Sequence, residues 1–167
     1  MKARLLALCV TLGLTAAIVA TAQARAAKSA VVTLRKTSLG AILVDPRGRT
    51  LYLFEKDGKG TSACTTACLR YWPALTSHTV PRAGTGVKQS LLGLTKLQHA
   101  LRQVTYAGHP LYTFVGDKRA GQTSGEGLSN FGADWYALSA SGRKVEQNQS
   151  SNNSSSSSGG YGSGGGY

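Results

Sequence analysis

The residues with the greatest capacity for chemistry recur in one six-residue box. Tyr52-Leu53-Phe54-Glu55-Lys56-Asp57 and Tyr112-Thr113-Phe114-Val115-Gly116-Asp117 each set two aromatic rings and a carboxylate at the same spacing. On an extended strand Tyr52 and Phe54 share one face, and Leu51 and Leu53 share the other. In one reading, Tyr52, Phe54, Tyr112 and Phe114 stack on a ligand while Asp57 or Asp117 fixes its polar group. In the other, the rings are sheet core and each aspartate caps a turn, with the tyrosine hydroxyls reaching the carboxylates. The sequence favours the second.

Other reactive groups are sparse. An enzyme needs a nucleophile, a base and an orienting group brought together. His78, His99 and His109 are scattered, and the chain has no G-x-S-x-G elbow, H-E-x-x-H helix or phosphate-binding loop. No catalytic residue is assigned, and a non-enzymatic protein is expected. A heme attachment motif is missing too, and the sole methionine is Met1. No cofactor and no metal site are expected.

The compartment follows from the N-terminus. Lys2 and Arg4 precede an apolar run from Leu5 to Ala22, and Ala22-Gln23-Ala24 supplies the small residues of a cleavage site. Residues 1–24 therefore read as a signal peptide, with no stable membrane span once it is cleaved. The destination is the periplasm or the extracellular space. Cys9 lies inside the apolar run behind a bulky Leu8, which does not make a lipid-attachment site. Cys64 and Cys68 remain, and an even pair in an exported domain favours a disulfide. Four-residue spacing brings their Cα atoms to about 6 Å in a helical turn, within disulfide range.

The elements that position these groups are mostly strands. Leu39–Val44 and Thr50–Phe54 flank the turn Asp45-Pro46-Arg47-Gly48 and predict a hairpin. Val44, Gly48, Leu51, Tyr52, Phe54 and Asp57 return as Val104, Gly108, Leu111, Tyr112, Phe114 and Asp117. A second hairpin is predicted from Gln103–Tyr106 and His109–Phe114 around Ala107-Gly108. Two related halves then complete one core. Thr61 to Trp72 is the helical segment, stopped by Pro73. Residues 76–90 and the glycine-rich stretch after Asp117 read as loops. Leu91–Leu97 reads as a short strand or irregular core piece, Trp135–Leu138 as a strand, and Val145 as the end of a last short one. The expected fold is a mainly β, small mixed or antiparallel domain with one short disulfide-bearing helix. Residues 25–36 form a lead-in, 37–146 the repeat domain, and 147–167 a Ser/Gly/Asn/Tyr-rich disordered tail.

Together these features resemble the bacterial family described as a secreted repeat of unknown function, whose members include lipoproteins. The resemblance rests on both boxes, on Leu39-Gly40 and Leu43-Val44-Asp45 before the first, and on Cys64, Cys68 and Trp72-Pro73 after it. Gly127-Leu128, Asn130 and Trp135-Tyr136 follow the second. The resemblance spans about residues 37 to 143 and implies an envelope or secreted location, with no reaction or cofactor. Two features depart from it. The chain lacks a lipid-attachment motif, and Thr66 stands where relatives often carry glycine.

Charge supplies the remaining expectation. The 167-residue chain has a formal net charge of +12, with 41% hydrophobic residues, so it is neither wholly disordered nor a multi-span membrane protein. Without the signal's two cations the charge is +10. Such a protein is drawn to anionic envelope components or an acidic protein. Arg47 and Arg49 at one turn, with Lys118 and Arg119 after the second box, are the candidate contacts. No reader motif for specific nucleic acid is present. The rival expectation is a periplasmic module that binds a small ligand, metal or heme through the two boxes. The oligomeric state is left open.

Overall fold

β-branched side chains dominate Val31–Thr37, which forms strand β1, and Gly40–Val44 turns back beside it as β2. The pair is antiparallel, with Thr33 opposite Val44 and Thr37 opposite Gly40. The structure, a computed structural model, describes residues 29–97 and 101–146. The signal peptide, the tail from residue 147 and His99 lie outside the described residues.

Among the described residues, nine strands make three three-stranded sheets. After β2 come β3 (Tyr52–Phe54), the short helix α1 (Thr66–Leu69), β4 (Arg82–Ala83) and a 3₁₀ turn at Gln89–Leu91. Then follow β5 (Leu92–Lys96), β6 (Arg102–Tyr106), β7 (His109–Pro110), β8 (Ser129–Asn130) and β9 (Ala133–Ala137). The sheet orders are β2-β1-β4, β3-β9-β8 and β5-β6-β7. Every strand pair is antiparallel except β1 with β4. The domain is mainly β, with a disulfide-bearing helical turn in its first half.

Alternation along β3 divides the core. Tyr52 and Phe54 join Ile42, Val44, Trp72, Tyr112 and Trp135 in one cluster, while Leu51 and Leu53 join Val32, Leu43, Val104, Leu111 and Leu138 in another. Both faces of the box strand are therefore covered, as its unbroken run of large residues implies.

Several local expectations change in the folded chain. The first hairpin closes only next to its turn, where the Asp45 amide donates to Arg49 and the Leu51 amide to Leu43; β2 pairs along its other edge with β1, and β3 pairs with β9. The turn between them persists. Asp45 Oδ1 accepts from the Arg47 and Arg49 amides at 2.9 Å each, and Gly48 takes φ +77°. Val44 and Thr50 meet only at a single bridge, because Tyr52 turns to the other half. Residues 31–36 of the lead-in belong to β1, and residues 25–28 lie outside the described residues. The predicted helix shrinks to Thr66–Leu69, since Gly58–Ser62 is held in turns and Asp57 accepts from the Ala63 amide. In place of a last strand, Lys144 bridges Leu138 just past β9, and the Val145 amide donates to Ala137.

The second hairpin forms between β6 and β7. Ala107 and Gly108 both take positive φ, +50° and +88°, the geometry of a two-residue turn matching sheet twist. Beyond Leu111 the chain leaves its partner, and Tyr112 crosses to Tyr52.

That crossing relates the two halves. Tyr52 and Tyr112 exchange both backbone hydrogen bonds, at 2.8 and 3.0 Å. Around them the ladders match in pairs. The Leu43 amide donates to Leu138 as the Val104 amide donates to Leu75, both at 2.8 Å. Leu51 donates to Leu43 as Leu111 donates to Val104. These bonds align Leu43, rather than Val44, with Val104. The first turn is one residue longer.

Candidate functional site

The boxes are built into one another. The Tyr52 hydroxyl donates to Asp117 Oδ2 at 2.7 Å, and the Tyr112 hydroxyl donates to Asp57 Oδ2 at 2.8 Å. Each tyrosine thus closes on the aspartate of the other repeat. Each aspartate uses its second oxygen to cap its own loop: Asp57 Oδ1 accepts from the Ala63 amide at 2.7 Å, and Asp117 Oδ1 from the Ser124 amide at 2.8 Å. The phenol oxygens are served as well. Because Tyr112 donates to Asp57, Ser62 is the donor in its 2.8 Å bond to Tyr112. The Gly125 amide donates to Tyr52 at 3.2 Å.

Aromatic packing follows the same twofold relation. Phe54, Trp135, Trp72 and Phe114 stack in one column, with centroids 4.1, 3.9 and 4.4 Å apart. The two indoles are parallel within 4°. Tyr52 meets Trp72 edge-on at 5.4 Å, and Tyr112 meets Trp135 edge-on at 5.1 Å. Both tyrosines and both tryptophans are fully buried. Gly125 permits this closeness, since a Cβ there would lie 2.8 Å from the Trp72 ring and 2.9 Å from Tyr52.

Burial sets the electrostatics. Loss of water pushes both phenols well above their usual range, and the partner carboxylate adds to that rise. Burial also raises Asp57 and Asp117, opposed by the hydrogen bonds each accepts. A neutral phenol donating to a carboxylate is a satisfied internal pair. It presents no free nucleophile.

Tyr52, Tyr112 and Asp117 do not line the cleft that the first box borders. That cleft, of about 590 Å³, has Phe54, Asp57, His109 and Arg143 among its walls. Burial lowers the pKa of His109 there. Among the described residues no group of three or more His, Cys, Asp or Glu side chains is placed to hold a metal. Cys64 and Cys68 form a disulfide with Cα atoms 5.3 Å apart, beside the aromatic column.

The four cations singled out from sequence have different fates. Arg49 is bound to Asp45, with Nε at 2.8 Å and Nη2 at 2.7 Å from Oδ2, so its guanidinium is occupied. Its side chain is still 38% exposed. Arg47, Lys118 and Arg119 are exposed. The Gly121 amide donates to the Gly48 carbonyl at 2.8 Å and draws the two loops together. Arg35, which sequence reasoning passed over, joins them. A Cβ on Gly48 or Gly121 would lie 3.3 and 2.9 Å from its guanidinium. Its signal was a cation on a β-branched strand, but the strand itself had been read as lead-in. Sequence reasoning also left Trp72 and Trp135 out of the site, although both follow the boxes at similar spacing.

A model described as a secreted repeat of unknown function matches residues 33–76 and 101–139, one copy around each box. No curated protein and no solved structure matches the chain. Among the described residues no helix is long and apolar enough to cross a membrane.

Proposed function

From the premise that this chain belongs to the bacterial secreted-repeat family and is exported, we propose a non-enzymatic envelope protein that holds anionic envelope components through one basic end. The carrying observation is the gathering of Arg35, Arg47, Lys118 and Arg119 where two loops are pinned at Gly48 and Gly121. The nearest carboxylates are committed elsewhere: Asp45 to Arg49, and Asp117 to Tyr52 and Ser124. Among the described residues, Arg49 and Lys144 are the only Lys or Arg side chains in ion pairs. An uncompensated cluster of this kind attracts polyanions with steep salt dependence. The boxes support the reading from the other side, because their reactive groups are spent on one another.

The test is elution of the exported protein from immobilised heparin, a generic polyanion. The Arg47→Ala/Lys118→Ala/Arg119→Ala variant should elute at markedly lower salt with unchanged melting temperature. Elution at the wild-type salt would refute the basic end as the contact.

A second reading has its own observation, the cleft beside Phe54, Asp57, His109 and Arg143. A small ligand held there would accompany the exported protein into native mass spectrometry. A bare mass would count against tight retention.

A further inference from the structure

Of the five large hydrophobic side chains exposed among the described residues, three meet on one surface: Tyr71, Val115 and Phe131. Tyr71 and Phe131 lie 6.0 Å apart with rings tilted by 39°, and the Val115 amide donates to the Tyr71 carbonyl. Tyr71 is 56% exposed and Phe131 38%, so each ring keeps part of its surface in solvent. Clustering, rather than scattered exposure, marks such a patch as an interaction surface.

The backbone is strained to present it. Phe131 and Gly132 form the two-residue turn between β8 and β9, and Phe131 takes φ +58°. Asn or Gly occupies that position without cost, whereas a bulky aromatic residue there is disfavoured. An outlier of this kind points to a task for its side chain. Cations border the rings. Lys56 Nζ donates to the Phe131 carbonyl at 3.5 Å, and exposed Arg70 precedes Tyr71. Neither is paired with a carboxylate among the described residues. Ser129 and Asn130 on the same hairpin are exposed and polar.

We infer that Tyr71 and Phe131 form a stacking platform for an acidic polysaccharide, with Lys56 and Arg70 meeting its carboxylates. The C–H face of a sugar ring carries the partial positive charge that an aromatic face attracts. Ser129 and Asn130 match its hydroxyls, and would instead have to be dehydrated at a lipid interface. This names a partner class for the anionic-surface reading and rests on it, but places the contact on a separate patch.

The test titrates the exported protein with labelled polygalacturonate at fixed ionic strength. Phe131→Gly and Tyr71→Ser should each weaken binding about tenfold, as loss of a central aromatic anchor does. Phe131→Gly should melt no lower than wild type, because glycine accepts the turn geometry. Wild-type affinity in both variants would overturn the platform while leaving the heparin result intact. Failure of wild type on heparin and polygalacturonate alike would overturn both readings. Patch-dependent binding to phosphatidylglycerol vesicles, without binding to polygalacturonate, would overturn the glycan assignment in favour of a membrane.

Discussion

The two repeats reach the same closure with different parts. In each, tyrosine reaches the other repeat's aspartate, and a tryptophan stacks on the other repeat's phenylalanine. Between box and tryptophan they part company. The first repeat supplies α1, the Cys64–Cys68 disulfide and a serine hydroxyl to the phenol of Tyr112. The second supplies a longer loop, a hairpin and the Gly125 amide to the phenol of Tyr52. Trp135 Nε1 donates to the Asn130 carbonyl at 3.2 Å, whereas Trp72 Nε1 has no partner. The box residues are fixed because each half completes the other. The spacers need only return a tryptophan to the column and a donor to the phenol, so they are free to differ.

The largest test of that view removes an indole. Trp72→Ala and Trp135→Ala should each cost about 3–5 kcal/mol, the range for truncating a large buried aromatic residue. Urea unfolding measures both. Similar losses support an equal division of the column between repeats, and a loss below about 1 kcal/mol for either breaks it. Next in size are the phenols. Tyr52→Phe removes the acceptor of Gly125 and the donor to Asp117, which is only 6% exposed, so about 2–3 kcal/mol should be lost. Tyr112→Phe should cost about 1 kcal/mol, since half-buried Asp57 can recruit water. A double-mutant cycle with Asp117→Asn isolates the buried pair, and a larger loss at Tyr112 would reverse the ranking.

Much of this closure was legible before folding. The box repeat announced two related halves, and alternation in Leu51–Phe54 gave a strand covered on both faces. The even cysteine pair gave the disulfide. Tyrosine–aspartate contact followed from the residue types, but its exchange between repeats did not, because sequence spacing suggests only local partners. The first hairpin is shorter than expected for a related reason. Its turn chemistry at Asp45–Gly48 is sound, yet a turn specifies reversal and not the strand that will be adjacent. β2 takes β1 on one edge and Thr50–Leu51 on the other before β3 leaves for β9, and the charges of Arg35 and Lys36 masked the strand in the lead-in. Phe131 was hidden for the opposite reason: its conformation violates the preference that would have located the turn.

The smallest expected effect lies in the second spacer and sharpens the contrast most directly. Glu126 Oε2 accepts from the Ala137 amide at 2.8 Å, while Oε1 is buried without a partner. Burial, with a lesser contribution from Glu146, raises its pKa from 4.5 to about 7. The folded state therefore holds a proton over a window in which the unfolded chain has released it. Between pH 4.5 and 7 the folded state binds more protons, so this group's contribution to stability falls as pH rises. Glu126→Gln preserves an acceptor for Ala137 and removes the titration. It should stabilise the protein by about 1 kcal/mol above pH 7, after allowance for partial exposure, and by less near pH 4.5. Asp57 and Asp117 are raised in the same direction and remain in the variant, so the melting curve should keep a shallower slope. The first spacer, from Thr61 to Tyr71, contains no carboxylate at all. If Glu126→Gln left the pH profile unchanged, the acid response would belong to the shared tyrosine–aspartate closure, and the spacers would differ in architecture but not in titration.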